Sequence, residues 1–128
     1  MRMRYLFTSL RKRADFSRVH TQGRRKGDGV LQVRALARGG DNSATTLRLG
    51  MVVSKRYGNA VVRNRFKRLI RAALREVAPQ CAPGWDILVL PRAATGVKVG
   101  QVIASLRRAL ADIGILQREQ PAGGGVEE

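Results

Sequence analysis

The stretch that most constrains the fold is residues 55–77, KRYGNAVVRNRFKRLIRAALREV. Wound at about 100° per residue, it puts Val62, Phe66, Leu69, Ile70, Ala73 and Leu74 on one arc. Asn64, Lys67, Arg68, Arg71 and Arg75 fall on the opposite arc, with Arg63 and Arg65 at the boundary. A helix divided in this way needs a core beneath it, because its apolar stripe has to leave water. Asn59 is a suitable N-cap, and Pro79 and Pro83 bound the far end, which predicts a helix over about 60–77.

The neighbouring segments supply that core. Residues 12–22, KRADFSRVHTQ, read as a short helix stopped by Gly23, and RRKGDG at 24–29 reads as a basic turn. Residues 30–38 and 45–54 have partial two-residue alternation and flank the loop signal GGDNSA at 39–44. The expectation is two strands paired as an antiparallel hairpin. WDILVLP at 85–91 is a continuous apolar strand of the kind found at the centre of a sheet. Residues 99–113 form a last amphipathic helix, with Val102, Leu106, Ala109, Leu110 and Ile113 at helical spacing. The order helix–strand–strand–helix–strand–helix predicts an α+β domain, a two-layer α/β sandwich. It is expected to span 1–118, with a basic arm at 1–11 and a disordered tail at 119–128.

Charge narrows the function. The 128 residues carry 25 Lys+Arg against 9 Asp+Glu, a net +16, while a 44% hydrophobic fraction argues for a folded protein. Such an excess repels itself in a compact chain and calls for a polyanionic partner, nucleic acid first. Eight cations lie in 55–75 without one acid: Lys55, Arg56, Arg63, Arg65, Lys67, Arg68, Arg71 and Arg75. Each like-charge pair at four-residue spacing, as in Arg63, Lys67 and Arg71, costs about 0.2–0.5 kcal/mol. Phosphates on that face would remove the cost, whereas a membrane-surface helix would need its apolar face free. No apolar run approaches the roughly 20 residues of a bilayer span and no signal-peptide pattern is present, so a cytoplasmic setting without membrane is expected.

Raw material for protein-side catalysis is poor. One cysteine, Cys81, and one histidine, His20, are present, and the acids are scattered without a metal-binding pair. No small-molecule substrate is expected. Asn64, in mid-helix between two arginines, can offer hydrogen bonds to a sugar or a base edge.

The run VSKRYGNAVVRNRFKRLIR resembles the signature of the bacterial ribonuclease P protein component, with Arg63-Asn64-Arg65 followed by Lys67-Arg68. LRKRADFSRVHTQGRR is similar to that family's opening helix, including Asp15-Phe16 and Gly23. The resemblance covers roughly 10–113. It implies a ribosomal-protein-like α/β sandwich with a left-handed βαβ crossover through the basic helix. It also implies a protein subunit that binds a catalytic RNA and the 5′ leader of precursor tRNA, assisting endonucleolytic removal of the leader. Hydrolysis would be done by the RNA with Mg²⁺, without catalytic residues or metal ligands from the protein. By the same resemblance Lys55, Arg56, Arg63, Asn64, Arg65, Lys67, Arg68, Arg71 and Arg75 contact the catalytic RNA. Arg13, Phe16, His20, Val33 and Arg34 are assigned to the leader cleft. Phe16 reads equally well as a core residue, and His20 stands where relatives often carry a second aromatic. The alternatives from residues alone are a ribosomal-protein-like binding module and a protein-only nuclease.

Overall fold

The computed structural model describes residues 7–38, 47–92 and 96–116. Five strands and three helices follow in the order β1 (Phe7–Ser9), α1 (Arg13–Gln22), β2 (Arg24–Gly27), β3 (Leu31–Ala37), β4 (Leu47–Met51), α2 (Ala60–Val77), β5 (Trp85–Pro91) and α3 (Val99–Ile113). The protein is a mixed α+β fold, as expected. The three helices and three longer strands lie within a few residues of the positions read from sequence. The proposed tail at 119–128, the 39–44 loop and most of the basic arm lie outside the described residues.

The sheet order is β1-β4-β5-β3-β2. β5 takes the centre because its side chains are apolar towards both faces: Ile87, Leu88 and Val89 are all fully buried. β3 joins it antiparallel and β4 joins it parallel, with α2 as the crossover between β4 and β5. The expected hairpin of β3 with β4 does not form. A two-strand ribbon would have left β5 with only one neighbour, and inserting it between them satisfies its backbone on both edges.

Two strands were not anticipated. β2 occupies the basic turn and pairs antiparallel with β3, and β1 occupies the arm and pairs parallel with β4. Both are edge strands. β2 is exposed along its length, so no apolar alternation marks it, and its Arg24, Arg25 and Lys26 discourage pairing with another chain. Gly27 permits the tight return into β3, since a Cβ there would lie 2.5 Å from the Leu31 carbonyl oxygen.

Strand alternation sorts the core into two parts. Leu31, Val33 and Ala35 of β3, Leu47 and Leu49 of β4, and Ile87 and Val89 of β5 face α2 and α3. Phe66, Ile70, Leu74, Leu106 and Leu110 from those helices fill this main layer. On the opposite face, α1 packs through Val19 against Leu88 and Leu10, with Phe16, Leu36 and Leu90 at the margin. The basic helix and the first helix therefore lie on opposite faces of one sheet.

Candidate nucleic-acid interface

α2 starts where the sequence indicated: the Asn59 side chain accepts a hydrogen bond from the Val62 amide at 3.0 Å. The first turn is braced by a T-shaped contact of Tyr57 with Phe66, ring centroids 5.3 Å apart. Phe66, Ile70, Ala73, Leu74 and Val77 are buried, while Asn64, Arg68, Arg71 and Arg75 are exposed. Lys67 is half-buried at the edge, and Lys55 and Arg56 are exposed on a single 3-10 turn before the helix. Arg63 and Arg65 behave differently from their neighbours. Arg63 Nε donates to the Gly58 carbonyl at 3.1 Å, and an Arg65 guanidinium nitrogen donates to the Val97 carbonyl at 3.2 Å. The two arginines thus tie α2 to the loops beside it, and Asn64 projects between them. Among the described residues, no α2 cation has a carboxylate partner within ion-pair distance.

A hollow of about 310 Å³ opens beside α1, lined by Arg13, Phe16, Ser17, His20, Val52 and Leu88. Its floor depends on Gly50. A Cβ there would come within 2.7 Å of the Phe16 ring and 2.8 Å of Leu88 Cδ2, so the glycine makes the seat for the aromatic ring. Phe16 is half-buried, and both readings of it hold in part: it leans on the small Leu10–Val19–Leu88 cluster and also lines the open hollow.

Two cleft assignments change. Val33 is fully buried in the main core under α2 and α3, because it is in phase with Leu31 and Ala35 on β3. Arg34, one residue on, faces α1 as required, but it serves the helix: its guanidinium donates to the His20 carbonyl at 3.0 Å and to Gln32 Oε1 at 3.2 Å. It holds the last turn of α1 at the rim without lining the hollow.

Sequence reasoning missed the charge network that seats α1. Asp86, on the α1 face of β5, is fully buried. Arg48 of β4 grips it with two bonds of 2.7 Å, and Arg38 adds another at 2.7 Å. Arg48 also reaches Asp15 of α1 at 3.4 Å, and Arg18 of α1 approaches Asp86 at 3.5 Å. Burial alone would raise the Asp86 pKa, but the bonds and charges of Arg48 and Arg38 outweigh it and hold the carboxyl below its ordinary value. The signal was available: a carboxylate inside an apolar strand has to be paired.

Val52 borders the α1 hollow and Asn59 caps α2, seven residues on. At roughly 3.5 Å per extended residue, the two surfaces are at most about 25 Å apart along the chain. Lys55 and Arg56 sit on that path. Burial pushes the Cys81 thiol up to about 12 against an opposing pull from Arg107, which keeps it protonated near neutral pH.

A family model described as Ribonuclease P matches residues 7–114. A ribonuclease P protein component from Roseiflexus castenholzii is 36% identical over 110 residues, covering 84% of this chain and 87% of the relative. One from Ruegeria pomeroyi is 40% identical over 104 residues, covering 79% and 82%. Among solved structures, the Staphylococcus aureus ribonuclease P protein superposes with a TM-score of 0.72 at 28% identity, covering 85% of this chain and 97% of that one. The Thermotoga maritima protein does so with 0.66 at 28% identity, covering 88% and 98%.

Proposed function

The chain belongs to the ribonuclease P protein component family, and from that premise we propose how its two surfaces divide the work. The outer face of α2 binds the catalytic RNA, and the hollow beside α1 holds the 5′ leader of precursor tRNA. The ribonucleoprotein then removes the leader endonucleolytically to give the mature tRNA 5′ end. The observation that carries this reading is the outward α2 face: a stripe of cations with no acid partner among the described residues, mounted on a buried apolar stripe. It is a rigid phosphate-binding surface.

In this reading Arg68, Arg71, Arg75 and Lys67 donate to backbone phosphates of the catalytic RNA. Asn64 bonds a sugar hydroxyl or base edge, and Arg63 and Arg65 hold the helix while extending its field. Lys55 and Arg56 bridge towards the leader end nearest the cleavage site. Phe16 stacks a leader base, worth about 1–3 kcal/mol, with His20 and Arg13 beside it. Hydrolysis belongs to the RNA subunit. Mg²⁺ would be held mainly by RNA phosphates, its natural oxygen ligands. Among the described residues no helix is long and apolar enough to cross a membrane, and the proposed setting is a cytoplasmic ribonucleoprotein.

The test is cleavage of precursor tRNA by the catalytic RNA with and without this protein at low Mg²⁺. The protein is expected to stimulate cleavage and to do nothing alone. No stimulation, with stable binding to ribosomal RNA instead, would support a ribosomal-type module. Cleavage by the protein freed of all RNA would support a protein-only nuclease.

A further inference from the structure

Hydrophobic burial alone gives α1 little hold on the sheet. The helix has 10 residues, fewer than the roughly 12–15 at which an isolated helix becomes even marginally stable in water. Its N-cap residue, Lys12, makes no side-chain cap bond, and Val19 is its one fully buried residue. The position of such a helix is set by what grips it from outside.

Two of the grips are polar, one at each end. Arg34 ties the last turn by donating to the His20 carbonyl at 3.0 Å. Arg48 of β4 ties the first turn. Its Nε and one terminal nitrogen take both oxygens of Asp86 at 2.7 Å, and its other terminal nitrogen reaches Asp15 Oδ2 at 3.4 Å. All three nitrogens of the guanidinium are thus engaged by two carboxylates, one from the sheet and one from the helix. Arg18 also approaches Asp86, at 3.5 Å, but its side chain is 45% exposed and water screens that longer contact.

Register puts the Arg48 bridge beside the seat of the aromatic ring. β4 and β5 pair Arg48 with Asp86 and, two residues on, Gly50 with Leu88. Both pairs lie on the α1 face, since Leu49 and Ile87 between them are buried beneath α2 and α3. α1 meets them with consecutive residues, Asp15 at the first pair and Phe16 at the second. Asp15 and Phe16 are about 100° apart around the helix, so the contact at Asp15 sets the rotation at which the ring comes down. At a side-chain radius of about 5–6 Å, a rotation of about 20° would carry the ring by about 2 Å. The ring has no slack towards the sheet, because even a Cβ on Gly50 would lie 2.7 Å from it.

We propose that Arg48 is a positioning residue for leader binding. By bridging the buried Asp86 to Asp15 it fixes the rotation of α1 and holds the Phe16 ring where a leader base stacks on it. This rests on the leader reading above. The bridge needs arginine, because a lysine ammonium is a single point of attachment whereas the planar fork serves both acids at once. Arg48 acts through Phe16 and does not itself touch the RNA.

The experiment measures the affinity of the assembled ribonucleoprotein for leader-bearing and mature tRNA with Arg48→Lys, Asp15→Asn, Phe16→Ala and the double variant Phe16→Ala/Arg48→Lys. Arg48→Lys keeps a cation for Asp86 and gives up the bridge. It should lower the preference for leader-bearing tRNA by about three- to fivefold, less than the roughly tenfold loss of a whole stack. Asp15→Asn, at a side chain 16% exposed, should do the same without touching the buried Arg48–Asp86 pair. Neither variant should change affinity for mature tRNA or for the catalytic RNA, and circular dichroism should show both folded. In the double variant the losses should not add: with the ring gone its placement no longer matters, so the double should match Phe16→Ala alone. Additive losses would overturn the proposal, and a shallower salt dependence would then assign Arg48 a leader phosphate of its own. Equal losses for mature and leader-bearing tRNA, as a general loosening of the fold would give, would overturn it too. So would an unchanged preference in either single variant. If the unaltered protein shows no preference for leader-bearing tRNA, the leader reading fails and the proposal with it. If that preference exists and falls with Phe16→Ala but not with Arg48→Lys, the role of Arg48 alone fails.

Discussion

Replacing Asp86 by Asn tests whether the buried charge network holds α1 in place. The carboxylate side chain is 1% exposed, and its partners Arg48 and Arg38 are 28% and 17% exposed. Asn keeps the shape and removes the charge, leaving two largely desolvated guanidinium groups facing a neutral amide. Breaking one side of a buried pair costs about 3–5 kcal/mol. Arg48 retains Asp15 at 3.4 Å and the arginines reach some solvent, so the lower end, about 3 kcal/mol, applies here. At about 4 °C per kcal/mol, the midpoint of thermal unfolding should fall by about 12 °C. Circular dichroism in phosphate buffer measures it. The double variant Asp86→Asn/Arg48→Met should recover part of the loss, since it removes one stranded cation. A fall of less than about 3 °C, or a double variant worse than the single, would refute the reasoning. The pH dependence has a definite sign. In the folded protein the bonds and charges of Arg48 and Arg38 hold the Asp86 carboxyl below its ordinary value. Its stabilisation is therefore complete above the unfolded pKa, near 4, and is lost as pH falls through the folded value. The unaltered protein should lose stability steeply below about pH 4, and Asp86→Asn should flatten that limb.

Other variants separate the surfaces. Phe16→Ala should lower the preference for leader-bearing over mature tRNA by about tenfold, in line with one lost base stack. It should cost about 1–2 kcal/mol of stability, because the ring is already partly in water. Complete unfolding would show instead that the ring belongs to the core. Gly50→Ala should reproduce the leader defect without touching the aromatic residue, since the new methyl group meets the Phe16 ring at 2.7 Å; leader binding at the unaltered level would show that the seat is not needed. Arg68→Ala/Arg71→Ala should flatten the salt dependence of catalytic-RNA binding by roughly 0.7–0.9 per residue and leave thermal stability unchanged. Arg65→Ala should also loosen the loop at Val97, seen as faster amide exchange there.

Legibility differed from element to element for physical reasons. α2 could be read almost to the residue because its cap, its apolar stripe and its terminating prolines are all local. β5 could be read because seven consecutive residues suited to a buried strand have few other uses. β2 was hidden because an exposed edge strand has no apolar face to betray it, and β1 because three residues carry too little pattern. The residues of the hollow beside α1 were half legible. Arg13, Phe16 and His20 lie at the spacing of one helical face and do line the hollow. Val33 was misassigned because naming a strand does not say which of its two faces meets which helix.

By itself the sequence determined the helix lengths, the apolar stripes, the uncompensated cations of 55–75 and, through Arg63-Asn64-Arg65 and its surroundings, the family. These depend on neighbours within a turn or two of the chain, or on side-chain chemistry that no fold can alter. Only the tertiary structure decided the strand order, the insertion of β5 between β3 and β4, and the placing of α1 and α2 on opposite faces. It also decided the partners of Asp86. The pairings of β5 with β3 and β4, and of Asp86 with Arg38 and Arg48, join residues more than 30 positions apart. Such pairs are chosen by competition among all strands and helices for the same buried area, and no local pattern records the outcome.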